Sequence, residues 1–267
     1  MKQMFFSLLV AAGGLFAHTS HREIECEIRQ IDHAKIHPTK QYDTIYQATS
    51  SNWSGYVASS NLTNATLSKN STTHVGGEWV VPTLLPTPDT SYCAIWVGLD
   101  GFNSSTVEQI GTSHNWVNGA QQDYAWFEMY PNAAYEIGGF PVNQGDVISA
   151  TVGNKGNGVF RLVMTNHTQG VVTTIPYSYT TSTSALSSCA EWIVEAPYSG
   201  QTLPLSDFKL VTFNYCSAII DGISGAVDDN NWDCVALTMD SASGALEAST
   251  SALMKNGNCF QVSWKSE

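Results

Sequence analysis

The sequence predicts an all-β fold of antiparallel strands, a sandwich or a barrel, on three observations. Ser, Thr, Gly, Asn and aromatic residues are abundant, whereas charged residues make up only 13% of the chain. After Thr49, turn chemistry recurs about every eight to twelve residues, with short alternating apolar runs between. No amphipathic period of 3.6 residues is sustained, and only Ser241 to Leu253 reads as a weak helix candidate.

Taken in order, the chain opens on a short basic start, Met1-Lys2-Gln3, then an apolar stretch from Met4 to Phe16 and a Leu-Phe-Ala end at Ala17. That stretch is too short to span a membrane, so residues 1–17 read as a removed signal peptide; the plainer alternative is a buried N-terminal strand or helix. A secreted protein is therefore expected, extracellular or periplasmic according to the host, with no membrane association in its mature form. Residues 18–49 differ in composition. They hold His18, His21, His33 and His37, four of the seven histidines. Five of the eleven Lys and Arg lie before residue 50, leaving six basic residues against eighteen acidic ones beyond it. A basic segment beside an acidic domain predicts a pro-segment held partly by charge and released at low pH, or else a linker with no inhibitory role.

Residues 50–267 read as one domain. Strands are predicted over Gly77-Glu78-Trp79-Val80-Val81-Pro82, Ala94 to Gly98, Val147 to Val152 and Phe160 to Met164. Turns are predicted at Asn118-Gly119, Asn143 to Asp146, Gly153-Asn154 and Asp228 to Asn231. The domain lacks a basic stripe, which argues against nucleic acid; a monomer is expected. Few paired charges leave few salt bridges to lose as carboxylates protonate, so the domain should stay folded in acid. The six cysteines, Cys26, Cys93, Cys189, Cys216, Cys234 and Cys259, form no Cys-x-x-Cys pair and have no histidine cluster beside them. Zinc is thus not expected, and in an exported chain disulfides are. Removal of Cys26 with its segment would strand one of the other five.

Several hydrolase plans are absent. There is no His-Glu-x-x-His, no Asp-Thr-Gly or Asp-Ser-Gly, and no Gly-x-Ser-x-Gly. His74, His114 and His167 sit in polar, loop-like settings that give a nucleophile–histidine pair no local support. Cys189-Ala190-Glu191-Trp192-Ile193-Val194-Glu195-Ala196-Pro197 is more informative. As a strand it turns Glu191, Ile193 and Glu195 to one, exposed face and Trp192 and Val194 to the core. The two glutamates then stand about 13 Å apart at ~3.3 Å per residue. That is too wide for a glycosidase pair, which needs roughly 5–10 Å. Tyr124, Trp126, Glu128 and Tyr130 likewise share a face, with Phe127 and Met129 on the core side. Such an aromatic surface with one carboxylate suits an extended polymer, or an edge strand with solvated rings. Val107, Gln109 and Gly111 share a face, where a glutamine is ordinarily a solvated or cross-strand residue.

Together these segments resemble the glutamic peptidase family, the eqolisins, formerly called pepstatin-insensitive acid peptidases. The matching stretches are SNWSGY (51–56), WVVPT (79–83), AIWVGLDG (94–101), VEQIGT (107–112), AWFEMYP (125–131), GDVISATV (145–152), AEWIVEAP (190–197) and PLSDF (204–208). Each is weak alone; the ordered set is specific. The resemblance implies a sandwich of two large bent antiparallel sheets. It implies a catalytic pair at Gln109 and Glu195, with Glu191 as the neighbour most easily confused with it. Trp53, Trp96, Asp100, Trp126 and Glu128 match cleft and supporting positions. Fungal members carry cysteines near the glutamine, where this chain reads Phe102-Asn103-Ser104-Ser105. Cys93 and Cys189, each just before a cleft strand, are expected to bridge instead. After Ser217 the likeness is loose.

The implied reaction is hydrolysis of polypeptide substrates without metal, cofactor or covalent intermediate. Glu195 takes a proton from water and Gln109 donates to the oxyanion. An acid optimum follows, since a free Glu titrates near about 4.3 while a histidine base would be fully charged there. Two rivals stand beside it. One is a glycoside hydrolase, with Glu128 and Glu195 as its acid–base couple, or a carbohydrate-binding sandwich. The other is an inactive family member used for adhesion. Six sequons, at Asn52, Asn61, Asn64, Asn70, Asn103 and Asn166, would carry glycans only in a host with that machinery.

Overall fold

A computed structural model of the chain describes residues 21–31, 40–44, 47–62, 68–102, 104–178 and 185–266. The expected signal peptide lies outside them. Nineteen strands and no helix occur among the described residues. They are β1 (Arg22–Glu23), β2 (Glu27–Ile31), β3 (Lys40–Thr44), β4 (Gln47–Ser50), β5 (Trp53–Ser59), β6 (Thr72–Val80) and β7 (Ala94–Asp100). Next come β8 (Val107–Val117), β9 (Ala120–Tyr130), β10 (Ala134–Gly138), β11 (Val147–Asn154), β12 (Val159–Asn166) and β13 (Val171–Ser178). The chain continues through β14 (Ala190–Glu195), β15 (Leu210–Ile220), β16 (Ile223–Gly225), β17 (Asp233–Asp240), β18 (Leu246–Thr250) and β19 (Phe260–Trp264).

Hydrogen bonding arranges these into two layers. The first runs β2–β10–β9–β8–β7–β14–β5–β17, with β4 and then β3 beyond β17. The second runs β13–β12–β11–β6–β15–β19–β18, with β1 beside β13 and β16 folded back on β15. The β17–β18 pairing joins them into one continuous sheet. All ladders are antiparallel except β1–β13 and β4–β17, which makes the sheet mixed rather than purely antiparallel. Both parallel pairs are made by strands upstream of Trp53, where the chain is laid against edges of a body that is otherwise antiparallel.

The alternation read from the sequence determines what each layer buries. Trp192, Val194, Phe127, Met129, Ile95, Val97 and Ile110 face the second layer and pack with Trp79, Val75, Ile148 and Leu162 from it. Their alternate neighbours form a second apolar cluster on the opposite face of the first layer, around Trp53, Trp96, Trp126 and Ile193. The Asn118-Gly119 turn closes the β8–β9 hairpin between Val117 and Ala120, with φ of +53° and +79°. These are the signs that a two-residue type I′ turn demands and that Asn-Gly tolerates.

Three expectations need correction. Gly153-Asn154 is not a turn: both residues remain in β11 opposite Arg161 and Phe160, and the chain reverses at 155–158. Ser241 to Leu253 is not a helix. Gly244, with φ of +82°, sits in a tight turn that returns β17 into β18, placing Leu246 opposite Asp240. Finally, Cys93 and Cys189 form no bridge, and all six cysteines are free thiols. The register explains it. Glu195 lies opposite Ala94 and Ala190 opposite Leu99, so the two cysteines flank opposite ends of the β7–β14 ladder. They are some seven residue steps apart, ~23 Å at ~3.3 Å each, whereas a disulfide needs Cα atoms within about 7 Å.

Candidate active site

The outer face of the first layer carries the sequence-predicted residues. In an antiparallel ladder, residues directly opposed point to the same face, so the register lines up rows across the strands. One row runs Ile31, Ala134, Glu128, Gln109, Gly98, Glu191, Val57. A second, two residues along, runs Arg29, Glu136, Trp126, Gly111, Trp96, Ile193, Gly55. Glu195 lies a further row on, opposite Ala94 and Trp53. Gln109, Glu195, Glu191, Glu128, Trp53, Trp96 and Trp126 therefore all project from one face.

Two glycines shape its floor. A Cβ on Gly98 would stand 2.9 Å from the Trp96 ring and 3.1 Å from Gln109 Cβ. A Cβ on Gly111 would collide with Trp96 Cβ and the Ile95 carbonyl. Trp96 can thus lie flat along the floor, with its indole N–H directed at Glu195. Trp96 Nε1 donates to Glu195 Oε2 at 2.7 Å, and Asn52 Nδ2 donates to Glu195 Oε1 at 3.4 Å. Trp53 stacks edge-on against Trp96, ring centroids 5.1 Å apart. Its N–H favours the ionised carboxylate without completing a hydrogen bond. On the other side, Gln109 Nε2 donates to Glu128 Oε2 at 2.7 Å, and Gln109 Oε1 is buried with no hydrogen-bond partner.

The glutamate face was expected to be exposed; instead Gln109, Glu191 and Glu195 have no solvent exposure and Glu128 only 2%. Distant segments pack beside these residues. Phe102, on the loop after β7, and Ile31, on β2, both pack into the tryptophan cluster. Burial dominates the electrostatics. It raises the Glu195 carboxyl well above the ordinary range. The N–H groups of Trp96, Trp53 and Asn52 oppose that rise, while the nearby charge of Glu128 adds to it. Burial likewise pushes Glu128 up to about 8 against the pull of Gln109. With the site covered, both carboxyls are therefore neutral in acid.

The remaining predicted residues divide by role. Asp100 (φ +67°) turns away from the pair. It accepts from Ser187 N at 2.6 Å, Ser188 N at 2.8 Å and Ser188 Oγ at 2.7 Å, and from Thr106 Oγ1 at 3.3 Å. It thereby ties the loop after β7 to the approach to β14. Glu191 accepts from Cys189 Sγ at 3.5 Å and approaches Gly101. Two contributors were given no role from the sequence: Asn52, which lies in the SNWSGY stretch and a sequon, and Ser50, whose hydroxyl bonds Asn52. Neither their spacing nor their composition signals a contact with a residue more than 140 positions away.

Comparison with known proteins follows this geometry. Residues 51–264 match the model of the Peptidase A4 family. The chain is 31% identical to Aspergillopepsin-2 of Aspergillus niger over 212 residues, 70% of this chain and 75% of that protein. It is 26% identical to Scytalidopepsin B of Scytalidium lignicola over 204 residues, 73% of this chain and 74% of that protein. Among solved structures, scytalido-glutamic peptidase with a transition state analog inhibitor superposes with a TM-score of 0.67 at 23% identity. That match covers 80% of this chain and 98% of the other. Aspergilloglutamic peptidase from Aspergillus niger superposes with a TM-score of 0.59 at 26% identity, covering 66% and 99%.

Proposed function

The chain belongs to the Peptidase A4 family of glutamic peptidases and is a peptide-bond hydrolase; from that premise we propose that Glu195 is its base and Gln109 the amide that works with it. The observation that carries this assignment is the pairing on one face of a carboxyl group met by aimed N–H groups and a glutamine whose Oε1 lacks a partner. That oxygen is a seat for one hydrogen of a water whose other hydrogen faces Glu195. The ionised Glu195 takes a proton as the water oxygen attacks the scissile carbonyl carbon. The second N–H of Gln109 donates to the oxyanion that forms, and Glu195 returns the proton to the departing amine. Glu128 holds the Gln109 amide in place through the first N–H. The substrate is an extended polypeptide lying over the tryptophans. The family match favours this reading over a carbohydrate one.

The pro-segment expected over residues 18–49 ends before β4 in this reading, so that Gln47–Ser50 stays with the body. Strand β2 extends the first layer beside β10, setting Ile31 in the Gln109 row and Arg29 opposite Glu136. While β2 is seated the face is dry, and a neutral Glu195 cannot accept a proton. A basic segment on an acidic domain is held partly by charge, and acid weakens that hold. Once the segment leaves, water enters, the desolvation that lifted Glu195 falls, and its N–H donors hold a working fraction ionised. The basic start and short apolar run at the N-terminus fit a secreted protein.

Casein digestion across pH, with and without pepstatin, tests the assignment in the wild-type, Glu195→Gln and Gln109→Ala proteins. An acid maximum is expected, with both variants deeply impaired. A maximum at about pH 7 or above contradicts the proposal.

A further inference from the structure

Asn52 makes two contacts with the Glu195 region. Its carbonyl accepts from Ala196 N at 2.9 Å, and its side-chain Nδ2 donates to Glu195 Oε1 at 3.4 Å. Which end of the amide faces the carboxylate follows from counting protons at Ser50. Ser50 Oγ accepts from Asn52 N at 3.3 Å and from Trp53 N at 3.1 Å. Its single hydroxyl hydrogen is therefore free to donate, and the acceptor it meets is Asn52 Oδ1 at 3.3 Å. With Oδ1 so engaged, the NH₂ end must face Glu195. Asn52 and Ser50 are 1% and 2% exposed. This is a fixed donor rather than a mobile surface amide, and it excludes a glycan at this sequon in the folded protein.

We propose that Asn52 is a positioning residue for the Glu195 carboxylate, oriented by Ser50 so that an N–H, and not a carbonyl, meets the base. The inference rests on Glu195 being that base. Trp96 holds Oε2 and Asn52 holds Oε1, so both oxygens are located and the proton-accepting lone pair is aimed along the face. An N–H donor also favours the charged form against the burial that disfavours it. The titratable groups facing Glu195 are Glu128 from β9, Cys93 ahead of β7 and Glu191 on its own strand. From the β5 side come Ser50, Asn52 and Trp53, none of which titrates in this range.

The test is the pH profile of kcat and kcat/KM for the full chain, processed in acid, as wild type, Asn52→Ala, Ser50→Ala and Glu195→Gln. For Asn52→Ala the acid limb is expected to move up by about half a pH unit, which is about a threefold loss of rate at a fixed pH on that limb. KM should change less than kcat. Ser50→Ala should move the limb in the same direction by less, since the amide loses only its orientation. A folded Asn52→Ala enzyme with the wild-type limb overturns the inference; if that variant does not fold, an unmoved limb in Ser50→Ala does so. Activity retained by Glu195→Gln is a different failure, one that removes the base assignment itself.

Discussion

Glu191 and Glu195 share a strand, a face and complete burial, yet their surroundings separate them. Glu195 receives indole and amide N–H groups, whereas Glu191 sits beside a thiol and the loop after β7. Glu191 lies in the Gln109 row, but the Trp96 ring lies over the intervening Gly98. Glu195→Gln is accordingly expected to abolish hydrolysis, while Glu191→Gln keeps much of it; kcat on a denatured protein in acid decides, and the reverse order moves the base to Glu191. Gln109→Ala should cost about a hundredfold or more in kcat, the usual scale for an oxyanion donor. The facing of these side chains was legible because a strand alternates with period two, so a motif fixes which residues share a face. Their burial was not, because the tryptophans beside them pack with Phe102 and Ile31, which the loop after β7 and the β2–β10 pairing bring in. Asn52 was illegible for the same reason.

Strand β2 is five residues that pair one for one with β10. Proline at Arg29 fixes φ at about −65°, away from the extended backbone of a ladder, and so weakens the seat. The unprocessed Arg29→Pro chain should therefore show higher peptidase activity at mildly acidic pH than the unprocessed wild type, measured on a quenched peptide before any cleavage appears by mass spectrometry. Equal latency would show that β2 does not silence the site. Strand β4 behaves differently. Ala48 is buried in the tryptophan cluster and Ser50 orders Asn52. The N-terminus of the acid-processed enzyme, read by mass spectrometry, should fall at or before Gln47. Hairpins with Asn-Gly were legible because few residues tolerate two positive φ values in succession. The Cys93–Cys189 pairing failed because proximity in motif order says nothing about which end of a ladder each thiol occupies.

For the molecule as a whole, the dominant electrostatic fact is that its site carboxyls are held above their ordinary range by burial. A group whose folded pKa is raised binds its proton more tightly folded than unfolded. The stability it contributes is full below the unfolded value, about 4.5 for Glu128, and is lost as pH rises toward about 8. The unprocessed protein should thus unfold at lower denaturant as pH rises across that window, and Glu128→Gln should flatten the slope; chemical denaturation at several pH values measures both. An all-β sandwich or barrel was legible from strand spacing and composition, and two sheets only through the family resemblance; the parallel edges were not legible, since no local pattern specifies which edge an N-terminal strand will meet. The antiparallel β2–β10 edge has a further consequence. When the segment departs, Ala134–Gly138 keeps its bonds to β9 but turns a bare row of amides and carbonyls outward. Any extended chain of suitable length competes for that vacancy, including the scissioned leader and fragments of digested protein. Product rebinding at this rail, rather than within the catalytic hollow, would then throttle the enzyme late in a digestion.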